Sequence, residues 1–458
     1  FTGAITSAAI LAGTGNDVLR FSSTVSSATI DAGAGLDTLR FSSLVSGSTL
    51  SGTGSTADLT FSDAADTVVF NGFAAATSIN FGAGANYGSF DNALTGVSVL
   101  SGSGADTLRF VAAFATGTVD AGAGVDSLVF ASSMDGLISG IYSAGEFVSF
   151  GGNASAQFAT AVTASTITGS ALADSLVFTG AAAGNTIDAG AGADTLRFNS
   201  SFSGALSGLN DAGNVVSFGA GATVQFGAVG ATGSATSLLF STASDQLSFT
   251  GHVSNTSVLA GGGADTLTFI SSAFGVAISA GASQSATIAF FSGADYVSFD
   301  GAFTGTSINA GGGADTLIFL TGSSLGTGTQ VSLGAGAVTA SFLGQNTLSF
   351  ASGIASGSQI NFGDSDDMAT FSGNIGAAVI RGGDGNDSLH FSGVTLSGST
   401  IAGGNYADSF SGNLVIGTGG VSFWGGDDFD TFNFASISTS NNTAYFWNNG
   451  NTDRIILG

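Results

Sequence analysis

The stretch IRGGDGNDSLHF, Ile380 to Phe391, decides how the chain is read. Looser copies of it recur along most of the sequence: LAGTGNDVLRF from Leu11, IDAGAGADTLRF from Ile187 and LAGGGADTLTF from Leu259. A repeat this dense specifies a stacked architecture before it specifies any chemistry, because each copy can bury its apolar face only against the next.

With the Ile or Val ahead of each glycine run at position 0, an Asp or Asn recurs at +7. The pairs are Ile10/Asp17, Ile30/Asp37, Ile79/Asn86, Val99/Asp106, Val119/Asp126, Ile187/Asp194, Val258/Asp265, Ile308/Asp315, Ile360/Asp367, Ile380/Asp387 and Ile401/Asp408. Glycines fall at +3 and +5 in most copies, an apolar residue at +9 and Phe at +11, and the next position 0 comes about 20 residues on. Alternate side chains of a strand share a face, so Leu108 and Phe110 point one way, Thr107 and Arg109 the other. DTLRF is therefore one strand and the segment ending in ATI or TSI a second. The line between them is a turn in which glycine supplies positive φ. Coils stacked about 4.8 Å apart would set Ile over Ile, Leu over Leu and Phe over Phe. The pattern predicts an all-β fold, a right-handed parallel β-solenoid (β-roll or β-helix). The absence of Pro fits strands that must donate every N–H.

Residues 1–458 are expected to form one continuous solenoid. Steps of 28 to 31 residues in the Phe ladder, such as Phe41 to Phe70, interrupt regular coils over 1–349 and predict wider coils near 51–70, 151–178, 219–249, 270–299 and 320–350. Residues 350–458 read as acid-rich coils with a candidate cap, in which Trp424 and Trp447 are expected to cover the core.

Composition narrows the partners. With 43% hydrophobic residues and 39 Phe the chain can build a core, unlike a disordered acidic chain. A net charge of −25, with no Lys and six Arg, excludes the basic footprint that nucleic acid or an anionic membrane surface needs. No apolar run approaches the roughly 20 residues of a transmembrane helix. Zero Cys suits a secreted bacterial protein that does without disulfides, and a first residue other than Met reads as a processed or excised piece. The expected location is the extracellular cell surface.

GGDGNDSLH, Gly382 to His390, resembles the nonapeptide G-G-x-G-x-D-x-U-x of hemolysin-type (RTX) calcium-binding repeats. The resemblance implies parallel β-rolls with Ca²⁺ held in the turns. It implies that the Asp387 carboxylate and the carbonyls around Gly383 and Gly385 share an ion with the stacked turn. Most copies depart from the motif by an Ala in place of its first Gly, and with one motif per coil a single edge would carry the acids.

A physical argument stands beside the resemblance. Carboxylates about 5 Å apart repel by about 0.8 kcal/mol even in water, and a column of them needs counter-charge. Ca²⁺ suits a flexible all-oxygen turn, whereas Mg²⁺ demands tighter geometry and Zn²⁺ prefers His or Cys. The candidate ligands are Asp17, Asp37, Asp106, Asp126, Asp174, Asp194, Asp265, Asp315, Asp367, Asp387, Asp408 and Asp430, with Asp364, Asp384 and Asp427 adding a second carboxylate at +4 between Ile360 and Asp430. For the AGAGAD copies an Asp that merely bonds its own turn amides is an equal reading.

Catalytic constellations are scarce: His252 and His390 are the only histidines, and neither has Ser/Asp spacing suggestive of a triad. The expectation is a non-enzymatic, calcium-stabilised structural protein of a bacterial exterior: a filament, sheath, surface layer or adhesin shaft. Phe1 stands at +11 of an incomplete coil and Asp453 at +7 from Phe446, a complementary phase that predicts self-association head to tail. Lateral association and a surface polysaccharide are the other candidate partners. An ice-binding or ligand-binding solenoid is the alternative, although the outward pairs around +9 are too uneven for an ice lattice. So is a secretion or β-helix module of a polysaccharide-acting exoenzyme.

Overall fold

The computed structural model describes residues 1–52, 58–72, 78–230, 236–279, 286–291, 293–320, 324–325, 328–439, 442–447 and 453–457. The protein is a parallel β-solenoid of about 21 turns. Among the described residues no helix is long and apolar enough to cross a membrane. Contacts divide the chain into two compact units, Phe1–Val224 and Gln225–Gly458, built by the same rule.

In the first unit one sheet starts with Ala9–Leu11, Thr29–Asp31 and Ser48–Ser51, and the other with Val18–Phe21 and Thr38–Phe41. Ile10 pairs with Ile30 and Ile30 with Leu50, while Leu19 meets Leu39 and Phe21 meets Phe41. These residues face inward, and Arg20 and Arg40 between them stay exposed. A short third ladder of Ile5–Thr6, Val25–Ser26 and Val45–Ser46 completes each coil, with Val25 and Val45 buried. Glycine is required where turns touch. Gly122 and Gly124 have φ of 81° and 146°, and a Cβ on either would overlap a carbonyl of Gly102 or Gly104.

The long steps in the Phe ladder include changes of phase, and near 320–350 the coil is also longer, Ile308 pairing with Val331 and Phe319 with Phe342. Near 51–70, Leu39 pairs with Leu59 and Leu50 with Phe70, each 20 residues further on. The sheet that held position 0 now holds Phe70, Phe90, Phe110 and Phe130, and its partner takes Ile79, Val99 and Val119. The old aromatic ladder continues through Phe41, Phe61 and Phe81, with centroids 5.0 Å apart at both steps. The new one stacks Phe70, Phe90, Phe110 and Phe130 at 4.6, 4.8 and 4.6 Å. Phe61 and Phe70 meet edge-on at 6.1 Å, so the two ladders touch at the slip. The phase returns where Phe147–Ser149 pairs with Thr166–Thr168 and Phe158 meets Phe178.

The second unit repeats both arrangements. Ile278 lies against Phe299 and Ile288 against Ile308, after which Phe342 meets Phe362 and Leu348 meets Ala369.

Candidate functional site: the acidic rungs in the turns

The residue at +7 closes the turn just before its strand, and its side chain folds inward. Its Oδ1 accepts the N–H of the equivalent residue one coil earlier. Asp17 donates to Asp37 at 2.9 Å, Asn86 to Asp106 at 2.7 Å, Asp106 to Asp126 at 2.8 Å and Asp174 to Asp194 at 2.8 Å. In the second unit Asp245 donates to Asp265 at 3.0 Å, Asp295 to Asp315 at 3.1 Å, Asp367 to Asp387 at 2.8 Å, and Asp387 to Asp408 and Asp408 to Asp430 at 2.9 Å each. The first acid of a run takes an ordinary amide instead: Val45 on Asp66, Ala154 on Asp174 and Ala273 on Asp295, all at 2.6 Å. Each carboxylate thus clamps two coils through a charge-assisted bond.

The rungs do not share one edge. Asp17 and Asp37 stand in turns at one edge of the first unit, Asp66 to Asp126 at the opposite edge, and Asp174 and Asp194 at the first edge again. In the second unit Asp245 and Asp265 occupy one edge, Asp295 and Asp315 the other, and Asn346 to Asp430 return to the first. The single acidic edge expected from the spacing is broken because each half-coil slip carries the +7 turn across the solenoid.

The structure separates the expected ligands into two sets. Asp37, Asp106, Asp126, Asp174, Asp194, Asp265, Asp315, Asp367, Asp387, Asp408 and Asp430 are buried, and Asp17 is half-buried. Asp364, Asp384 and Asp427 are exposed. The +4 carboxylates therefore lie apart from the +7 rungs; Asp384 instead accepts a bond from Asn405 Nδ2 one coil on, at 2.6 Å. Among the described residues no three acidic or histidine side chains form a metal-holding group.

Sequence reading missed rungs at Asp66, Asn214, Asp245, Asp295 and Asn346. Leu59 and Leu238 stand where Ile or Val was required, and the signal that would have found them is the tail D-x-apolar-x-F, as in DTVVF and DQLSF. Glu146 was missed for its residue type. It is fully buried and accepts a bond from Ser165 Oγ at 3.5 Å, and its burial pushes the carboxyl up to about 7.

The second carboxylate oxygen sets the electrostatics. Oδ2 of Asp66, Asp126, Asp194, Asp315, Asp387, Asp408 and Asp430 is buried with no hydrogen-bond partner. The Asn rungs show what stands opposite it. Oδ1 of Asn86 accepts the Asp66 amide at 3.0 Å, which directs its Nδ2 to donate to the Gly84 carbonyl at 2.6 Å. Asn214 likewise accepts from Asp194 at 2.7 Å and donates to the Asp211 carbonyl at 2.9 Å. Where Asp replaces Asn, the side that carried the amide donor carries an oxygen, which needs a proton or a cation. Burial accordingly raises these acids: Asp126, Asp194, Asp315 and Asp430 to about 6, Asp387 to about 7 and Asp408 to about 8, with neighbouring carboxylates adding to the rise in each case.

Position +2 is Gly in the RTX-like turns, as it also is at Gly169 ahead of Asp174. A Cβ on Gly382 would overlap both Asp387 Oδ2 and the Gly403 carbonyl oxygen. One on Gly403 would overlap Asp408 Oδ2 and reach within 2.6 Å of the Gly425 carbonyl oxygen, and one on Gly425 would overlap Asp430 Oδ2. Side-chain and carbonyl oxygens of adjacent coils thus converge on space that only glycine leaves. In the AGAGAD copies Ala32, Ala121, Ala189 and Ala310 are fully buried at this position and bring a methyl group with them. The oxygens converging at the glycine-bearing turns are the hard donors a cation such as Ca²⁺ takes, so Asp387, Asp408 and Asp430 are the residues that could hold one. The Ala-bearing turns fit a proton better.

No protein-family model matches the chain, and no curated protein matches it significantly.

Proposed function

We propose that this chain is a calcium-stabilised structural solenoid of a bacterial exterior, serving as shaft, sheath, filament or surface-layer element, with Ca²⁺ at the RTX-like turns. Asp387, Asp408 and Asp430, with the carbonyls of Gly403 and Gly425, would hold the ions. The ion would supply the positive charge that the buried Oδ2 atoms lack. The observation carrying this reading is that orphaned carboxylate oxygen, set beside glycine at +2 on consecutive coils. A structural role is supported by how each coil is used: its apolar residues and its acidic rung are committed to the adjacent coils. Side-by-side self-association is supported by the exposed pair Phe274 and Tyr296, whose rings lie 5.7 Å apart on the outer face.

Calorimetric titration with Ca²⁺, with circular dichroism before and after chelation, tests the reading. Saturable heat and a melting temperature that falls in chelator are expected, because an ion that binds only the folded chain stabilises it. An unchanged melt and no heat would remove calcium from the proposal. Electron microscopy in millimolar Ca²⁺ tests assembly, and uniformly dispersed single particles would remove self-association.

A further inference from the structure

In consecutive coils of the second unit the outward residue at +1 is Arg381, Ala402, Trp424 and Trp447, paired in register. Trp424 and Trp447 stack with centroids 5.0 Å apart and planes within 11°, and they are 41% and 48% exposed. They do not cover the core as a cap would, because they stand on the outer face of their strands. On the other side of Trp424 the ladder has a short rung. Ala402 contributes only a methyl group, and beyond it is Arg381, whose Nη1 donates to Asn361 Oδ1 at 3.0 Å. Arg381 and Trp424 are two strand steps apart, about 9.6 Å. The Ala402 rung therefore leaves a slot one ring thick, matched to the 5.0 Å at which Trp447 stacks on the opposite face. Thr400 and Ser422, paired with each other and outward on the same strands, border it with hydroxyls.

We propose that this slot binds one pyranose ring of an uncharged glycan. The C–H face of a pyranose is apolar and suits the open π face of Trp424, while its rim of hydroxyls needs the donors and acceptors that Arg381, Thr400 and Ser422 provide. An acidic sugar is disfavoured: the exposed Asp384 ends the Arg381 strand, Asp427 and Asp428 follow the Trp424 strand, and the chain carries a net charge of −25. This assignment gives the polysaccharide partner a chemistry and is independent of whether Asp387, Asp408 and Asp430 hold calcium.

The chain has two tryptophans, both in this stack, so emission under tryptophan-selective excitation reports the stack that borders the slot. The full chain in millimolar Ca²⁺ is titrated with cellohexaose, maltohexaose, chitohexaose and hexagalacturonate. A saturable emission change with at least one neutral hexasaccharide, and none with the uronate, is expected. Two variants are then measured by calorimetry: Trp424→Ala removes the platform, and Ala402→Trp fills the slot by completing the ladder. Each should weaken binding about tenfold or more, with the Ala402→Trp melt unchanged. No response to any neutral hexasaccharide, or undiminished binding by both variants, would overturn the proposal, and equal binding of the uronate would overturn its charge argument.

Discussion

Gly403→Ala separates a metal cradle from a simple turn. Gly403 is buried and its φ lies outside the positive region, so alanine adopts that φ without strain. What its methyl group meets is Asp408 Oδ2 and the Gly425 carbonyl oxygen, and the carboxylate must move. Displacing that carboxylate weakens the bond from the Asp387 amide, 2.9 Å in the native turn. Above a pH of about 8, where Asp408 is charged, that hydrogen bond contributes about 1.5–3 kcal/mol, and the lower chain entropy of alanine offsets roughly 0.5–1 kcal/mol of its loss. In excess chelator the variant should therefore be less stable by about 1–2 kcal/mol. Calcium adds a second loss. For a dissociation constant around 10⁻⁴ to 10⁻³ M, a site in 10 mM Ca²⁺ adds about 1.4–2.7 kcal/mol, which the variant forfeits when the cradle closes. The full deficit should be about 2.5–4.5 kcal/mol in calcium, roughly double that in chelator. Thermal unfolding by circular dichroism of both chains in both buffers measures it. Ala189→Gly is the control: it opens the same position in an AGAGAD turn and should cost about 0.5–1 kcal/mol equally in both buffers. If Gly403→Ala loses no more in calcium than in chelator, the space beside Asp408 is not a metal's.

In chelator, stability should fall as the pH rises from about 4 to about 8. The folded chain holds protons on Asp387 and Asp408 that the unfolded chain, at 3.8, has already released, so each deprotonation in that window disfavours folding. Urea melts at several pH values check the sign, and stability that rises across the window would contradict the buried-acid reading. Asp126→Asn should raise stability at pH 8 by about 1–3 kcal/mol, because Asn keeps the rung's acceptor and adds the donor seen at Asn86, whereas Asp126→Ala should lower it. Calorimetry of the three chains decides, and a less stable Asn variant would mean that Oδ2 already has its partner. Phe110→Ala should cost roughly 3–5 kcal/mol through lost burial and a cavity between Phe90 and Phe130, while Thr107→Ala beside it costs little. Equal effects on proteolytic protection would mean the strand faces are misassigned.

The solenoid was legible because its signal is local and periodic. Alternation in DTLRF fixes which face of the strand is buried, and the recurrence at about 20 residues fixes what lies above it. The half-coil slips were not legible in the same way. A Phe41-to-Phe70 gap reads as added chain when only one ladder is followed; it becomes a slip once Phe61 is seen to carry the first ladder forward while Phe70 opens another. Positions 0 and +11 are both inward and apolar, so either sheet accepts either strand, and spacing within one copy cannot say which sheet it will join. The direction of the carboxylate was hidden for a related reason. Asp in a Gly-rich turn reads as solvent-facing, and only stacking reveals that the amide it bonds belongs to the coil before it.

Between the Ala-bearing and the RTX-like turns, the two fates proposed for the +7 acid differ by one methyl group. Every rung needs an acceptor for the neighbouring amide, and Asn alone would meet that need, as Asn86 and Asn214 do with their spare donors on carbonyls. Asp instead leaves a buried oxygen whose neutralisation depends on the surroundings. Where Ala fills +2 the remaining option is a proton, and the turn gains strength on acidification. Where glycine stands at +2, as at Gly382, Gly403 and Gly425, the proposed cation would take that part at a pH where the proton has left. Asp387 and Asp408 have the highest values among the aspartate rungs, about 7 and about 8, through burial first and the adjacent acids second. These are the turns in which neutralisation matters most near neutral pH, and they are among the turns at which calcium is proposed.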